Sequence, residues 1–279
     1  MDRQGFLDFN TRLSPENSGK AASYVKAIEI LDAVLRHQDE IDLGGQSLYN
    51  LSDTATIESV LDLVKDEVKK MKNSQSCIFD FGAPNQTSYP LKGFCSAALS
   101  SLIKYAEYEQ QVVEADEIVA KEKDPRTISK KLIAHFDLAK EGEDEVSQTK
   151  RRKGQSYFRH MILTNYGNRC ALTGIDIPEL LVASHIRPWR NSTPLQKLSP
   201  DNGICLSALY DKAFDEGLIT FSPDDFSVLF SSALRDNETK EYYDKHFGII
   251  EGRKLMVPEE FKPNRDFLAY HREKIFWGT

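Results

Sequence analysis

Cysteine is scarce: the 279 residues hold four, and no two stand at Cys-x-x-Cys spacing. Cys77, Cys95, Cys170 and Cys205 thus lack the close pairing of a structural zinc site, and none is expected. Their expected state is buried and unpaired, because a reducing compartment gives disulfides little use. Long apolar runs are missing too. No stretch reaches the roughly 18 consecutive apolar residues that a membrane helix needs. The opening Met1-Asp2-Arg3-Gln4-Gly5 carries no basic run followed by an apolar core. The expectation is a soluble, cytoplasmic protein with no membrane partner. A positive charge balance is also lacking. The net charge of -7 speaks against a chain that meets nucleic acid with its whole surface. No sequence repeat is visible.

The charge that is present is uneven. Residues 1–150 carry 18 Lys and Arg against 26 Asp and Glu, and residues 151–279 carry 18 against 17. The near-neutral second half can still bind DNA if its basic residues cluster. The first half reads as helical. Apolar residues recur at helical spacing over Ser18 to His37, Asp53 to Met71 and Leu91 to Val113, with Asn17 or Ser18 as a cap for the first of these. A polar loop with Pro84 and Pro90 precedes the third. Residues 114–150 are rich in Asp, Glu and Lys, with Pro125 and Gly142; a short helix over Ile128 to Leu138 is possible, and Lys140 to Lys153 has little to bury. The expected division is a helical recognition or dimerisation module at 1–115, a charged linker at 116–148, and a second domain at 149–279. That domain opens on a helix over Gly154 to Tyr166. Short apolar runs at Cys170-Ala171-Leu172 and Leu180 to Ile186 then read as hairpin-like. Residues 202–214 return to helical spacing. A hairpin is expected around Ser222-Pro223-Asp224-Asp225, and a final helix from Arg265 to Trp277.

Three polar features interrupt apolar runs between 180 and 216. His185 ends Leu-Leu-Val-Ala-Ser-His-Ile, Asn202 begins an Asn-Gly turn, and Asp211 and Asp215 lie four apart on one helical face. Two carboxylates so placed repel unless a cation sits between them, and hard oxygen ligands suit Mg²⁺ or Mn²⁺. A histidine on a hairpin, facing a helix with metal ligands, suits phosphodiester hydrolysis: the imidazole takes a proton from water while the ion stabilises phosphate charge.

The resemblance is specific at this point. Cys170-Ala171-Leu172-Thr173-Gly174, Ala183-Ser184-His185-Ile186-Arg187-Pro188-Trp189, Asn202 to Leu209 and Phe214 to Ile219 together resemble the HNH endonuclease superfamily, in its restriction-endonuclease-like branch. The lead-in Arg152-Lys153-Gly154-Gln155, with Phe158-Arg159 and Tyr166-Gly167, resembles that branch as well. The likeness covers roughly residues 150–225. It implies an α+β fold: a helical N-terminal module followed by a C-terminal ββα-metal nuclease domain that cleaves DNA with a divalent ion. By position, His185 falls on the general base, Asn202 on the asparagine that braces the loop, Asp211 on the third motif position as metal ligand, and Asp215 one turn later where some members place another ligand. Ser184 departs from the pattern, standing where many members have an Asp or His ligand.

Arg187, Arg190 and Lys197 follow the base closely and suit phosphate contacts; a solvated loop is the alternative. Gln155 and Arg159 on the lead-in helix suit either packing or substrate contact. The remaining histidines, His37, His135, His160, His246 and His271, sit in no recognisable site. Pro223-Asp224 with Glu238-Thr239-Lys240 fits the loose PD-(D/E)xK pattern, but the second half reads as a helix start where that pattern needs a strand. The leading expectation is a DNA endonuclease of a restriction or anti-phage system, acting as a homodimer. The alternatives are a nuclease effector gated by its N-terminal module, and a non-catalytic DNA-binding protein with a degenerate site.

Overall fold

The computed structural model describes residues 1–14, 18–36, 38, 41–51, 53–81, 88–138 and 145–278. The expectations placed on Asn17, His37, Pro84 and Gly142 lie outside these residues. The chain divides into two compact units, Met1–Val113 and Glu114–Thr279.

The first unit is helical: α1 (Arg3–Leu13), α2 (Lys20–Leu35), α3 (Thr54–Lys72), α4 (Ser88–Leu91) and the start of α5 (Phe94–Lys121). Side-chain caps fix its starts. Asp2 accepts from the Gly5 amide, and Asp53 from those of Ala55 and Thr56. Gly19, in a left-handed conformation, takes the cap position before α2. Val25, Ile28, Leu31 and Val34 bury one face of α2, while Phe6 and Phe9 of α1 lie against Tyr105.

The second unit begins earlier than its sequence suggests. α5 runs on to Lys121, and α6 (Pro125–His135) follows, capped by Asp124 with Pro125 in its first turn. Within the stretch expected as a linker at 116–148, residues 116–121 and 125–135 are helical and belong to the second unit. Ile128 and Leu132 are fully buried, and the Ser129 hydroxyl donates to the Leu195 carbonyl. The charges that suggested a linker sit on the outer face, where Lys131 pairs with Glu122.

α7 (Glu145–Asn165) supplies buried Tyr157, Phe158, Met161 and Ile162. β1 (Leu181–His185) pairs antiparallel with β2 (Gly203–Ser207), setting His185 opposite Gly203 and Ser184 opposite Ile204. The insert between them contains α8 (Pro194–Lys197). α9 (Ala208–Asp215) follows β2 directly, completing a ββα unit. β3 (Ile219–Phe221) and β4 (Val228–Phe230) form the expected hairpin. α10 (Ser232–Arg235), α11 (Glu241–His246) and α12 (Arg265–Lys274) complete the unit.

Two expectations are corrected here. The helix read over 202–214 is a strand through Ser207 and a helix only from Ala208, because β2 is buried along its whole length and its apolar run has no distinctive period. Cys170-Ala171-Leu172 is not a hairpin arm. The Gly174 amide donates to the Cys170 carbonyl at 2.8 Å, closing a turn, and β1 finds its partner in β2. All four cysteines are buried and free.

Candidate active site

His185 closes β1 with its ring flat on Phe158 of α7, centroids 3.8 Å apart and planes 13° apart. Trp189 meets the same ring edge-on at 5.5 Å. Gly203 makes this stack possible: a Cβ there would lie 2.5 Å from Ile162 and 2.9 Å from Phe158. The His185 Nε2 lies 3.1 Å from the Lys197 carbonyl oxygen. A carbonyl only accepts, so Nε2 carries the proton and Nδ1 keeps its lone pair. Burial lowers the His185 pKa to about 4, outweighing the opposing effect of the Lys197 carbonyl.

Asn202 is fully buried and its amide is fully used. Nδ2 donates to the carbonyls of Gln196 at 2.9 Å and Arg187 at 3.3 Å, and Oδ1 accepts from the Arg187 amide at 2.9 Å. Its own carbonyl accepts from the Ile186 amide. One side chain thereby ties both ends of the insert together and sets the Lys197 carbonyl that orients His185.

The acidic side is built on α9. The buried Ser184 hydroxyl donates to Asp211 Oδ1. Burial raises the Asp211 pKa, opposed by that hydrogen bond. Asp215 reaches solvent, yet the protein around it pushes its carboxyl up to about 6, with the Asp211 charge adding to the rise. Lys212 lies between them in sequence but pairs with Glu216 at 2.5 Å. Among the described residues, no group of three or more His, Cys, Asp and Glu side chains is placed to hold a metal ion. The available donor set is a pair of hard carboxylates one helical turn apart, under mutual repulsion. Mg²⁺ is commonly held by one or two carboxylates and completed by substrate phosphate and water, so this set fits such an ion.

The other sequence-selected residues divide. Arg187 stacks over Tyr270 at 4.1 Å and donates from Nε to the Asn191 carbonyl at 2.8 Å. Arg190 is exposed, and Lys197 Nζ lies 5.3 Å from the Trp189 ring. Gln155 is exposed on α7, whereas Arg159 is committed to the backbone, donating to the carbonyls of Leu181 at 2.6 Å and Pro178 at 3.1 Å. Arg159 thus anchors the entry to β1. His160 is bonded to Asp116 at 3.1 Å. Of the PD-(D/E)xK pattern, Asp224 is in a turn, Glu238 pairs with Arg235 and Lys240 precedes α11, so none of the three stands on a strand.

Sequence reasoning missed Phe158 as the platform for His185, the Ser184–Asp211 bond, and His271. The last lies flat on Phe214 of α9 at 3.7 Å and 4°, with Nε2 3.1 Å from the Phe214 carbonyl oxygen. Gly203, directly after Asn202, was the visible hint of close packing at the base.

No curated protein matches the chain in comparison. Residues 170–222 match the family model described as HNH endonuclease, a span that contains His185, Asn202, Asp211 and Asp215. The chain therefore carries, at residues 170–222, a segment similar to the HNH endonuclease family.

Proposed function

We propose that the protein is a divalent-metal-dependent DNA endonuclease, serving a restriction or anti-phage defence system as a homodimer. The observation that carries this reading is the His185 tautomer: a histidine whose Nε2–H is fixed on the Lys197 carbonyl, leaving Nδ1 as a base, within a segment that matches the endonuclease family. His185 takes a proton from water at Nδ1. It is neutral across the physiological range because its pKa lies near 4. The Lys197 carbonyl stabilises the imidazolium that forms, and Phe158 holds the ring plane. Asn202 keeps the insert closed so that this geometry persists. Asp211 and Asp215 would hold Mg²⁺ or Mn²⁺, with Ser184 orienting Asp211. When bound, such an ion supplies charge stabilisation at the phosphate and the leaving oxygen. Arg187, Arg190 and Lys197, which follow the base in sequence, would meet the DNA backbone.

The test is plasmid cleavage with Mg²⁺ or Mn²⁺, with His185→Ala in parallel. Wild-type cutting and a loss of about 100-fold or more in the variant are expected. Equal cutting by the variant overturns the assignment of the base. Ser184, standing where many members have an Asp or His ligand, and Asp211 at the third motif position favour a second reading, a DNA-binding protein with a worn site. Failure of the wild type to cut with either metal selects it.

A further inference from the structure

A cavity of about 440 Å³ lies between α6 and the insert that follows His185. Arg126 and Lys130 of α6 and Arg187 of the insert line it, with Gln196, Asp266 and Phe267. These cations differ from their neighbours in the same stretch of chain. Lys121, Lys123 and Lys131 meet Glu117, Glu260 and Glu122 respectively. Among the described residues, Arg126, Lys130 and Arg187 stand in no close ion pair, although the Arg126 charge is felt by Asp124; the contacts of Arg187 are a carbonyl and the Tyr270 ring. A second lining carboxylate, Asp201, is already engaged by the Ser199 hydroxyl at 2.5 Å and the Asn264 amide at 2.9 Å. The wall therefore sets three cations against two carboxylates, with an aromatic ring and with Asp266 as the carboxylate not already taken by these two donors.

Resting on the nuclease reading above, we propose that this cavity seats one nucleotide of the DNA strand being cut, with its flanking phosphates on Arg126, Lys130 and Arg187 and its base against Phe267. The volume lies within the roughly 300–1,000 Å³ range of sites that enclose a small organic ligand. Phosphates are met by cations, a base stacks on an aromatic face, and a carboxylate accepts from an exocyclic amine. Asp266 also disfavours a compact polyphosphate. Arg187 is two residues from His185, at most roughly 7 Å along the chain, so a strand lying against the base is near the cavity. The same insert supplies the Lys197 carbonyl to His185 and the Gln196 carbonyl to Asn202. Occupancy of the cavity would thus hold the loop that orients the base.

The experiment measures binding of a fluorescein-labelled duplex to the full chain carrying His185→Ala, as a function of salt. Added to that background, Arg126→Gln with Lys130→Gln should weaken binding roughly tenfold at low salt and make the salt slope shallower by at least about 1. Lys131→Gln, on the same helix but ion-paired, should leave both unchanged. Arg126 and Lys130 are exposed, and matching thermal melts will exclude a folding defect. An affinity and slope equal to those of Lys131→Gln overturn the proposal. So does thermal stabilisation of the protein by free thymidine monophosphate while duplex binding ignores the double substitution, because the cavity then belongs to a small effector. Wild-type plasmid cleavage, run separately, keeps the two readings apart. Cutting without a slope change sinks the cavity alone, and a slope change without cutting sinks the nuclease reading alone.

Discussion

His185 and His271 are both held neutral by burial, each with a pKa lowered to about 4 from 6.5. Their folded values are depressed, so the unfolded chain binds more protons between pH 6.5 and 4. The stability they contribute is complete above pH 6.5 and is lost as pH falls towards 4. The urea midpoint should therefore decline over this window, and His271→Gln should flatten the decline; an unchanged slope in the variant would count against this account. Asp211 and Asp215 have the opposite sign. Their raised values mean that the folded pair costs stability once both ionise, above about pH 6 for Asp215. Mg²⁺ or Mn²⁺ should raise the Tm more at pH 7.5 than at pH 5.5. Asp215→Asn should raise the Tm in chelator and abolish the metal increment; an undiminished increment would place the ion elsewhere. In the proposed mechanism cleavage needs both a neutral His185 and an ionised Asp215, so at sub-saturating metal its acid limb should fall near pH 6 and not near 4, moving down as metal is added. A limb near 4 in the pH profile would assign control to the histidine.

At the scale of elements, two glycines fit the strands and helices to one another. Gly203→Ala would press a methyl group into Ile162 and Phe158. Overpacking of this kind costs about 1–3 kcal/mol, and here it acts on the ring beneath His185. We expect kcat to fall more than the melting point alone explains; a variant with full kcat would show that the stack is dispensable. Gly217 has a φ of 69°, and a Cβ there would lie 2.2 Å from the Ile275 carbonyl oxygen, so the end of α9 is shaped to receive the C-terminal tail. The candidate site was legible in the sequence because its residues cluster in one stretch and interrupt apolar runs with polar groups. β2 was read as helix because a strand buried on both faces shows no alternation. Arg159 stayed open between packing and substrate contact because sequence cannot distinguish a guanidinium bound to carbonyls from one facing solvent. The platform under His185 was hidden for a related reason: Phe158 is 27 positions away and one among several apolar residues on its helix.

For the whole molecule, the boundary at Glu114 makes a direct prediction. A fragment of residues 114–279 should fold and keep its metal response. A fragment of 149–279 should not, because it lacks Ile128, Leu132 and the Ser129 bond to the Leu195 carbonyl. Equal melting curves for the two fragments would restore the linker reading. The charged appearance of 116–138 concealed this, since the buried residues of α6 are few and are flanked by ion pairs. No helix among the described residues is long and apolar enough to cross a membrane.

The chain has only two tryptophans. Trp189 stands edge-on to the His185 ring, and the Trp277 amide donates to the Gly217 carbonyl, just beyond α9. One indole adjoins the imidazole and the other the end of the carboxylate helix. The native emission of the protein is therefore a built-in optical gauge of both halves of the centre, with no label required. Charging the imidazole will dim one fluorophore, loosening the tail will shift the other, and replacing each with phenylalanine separates the two signals.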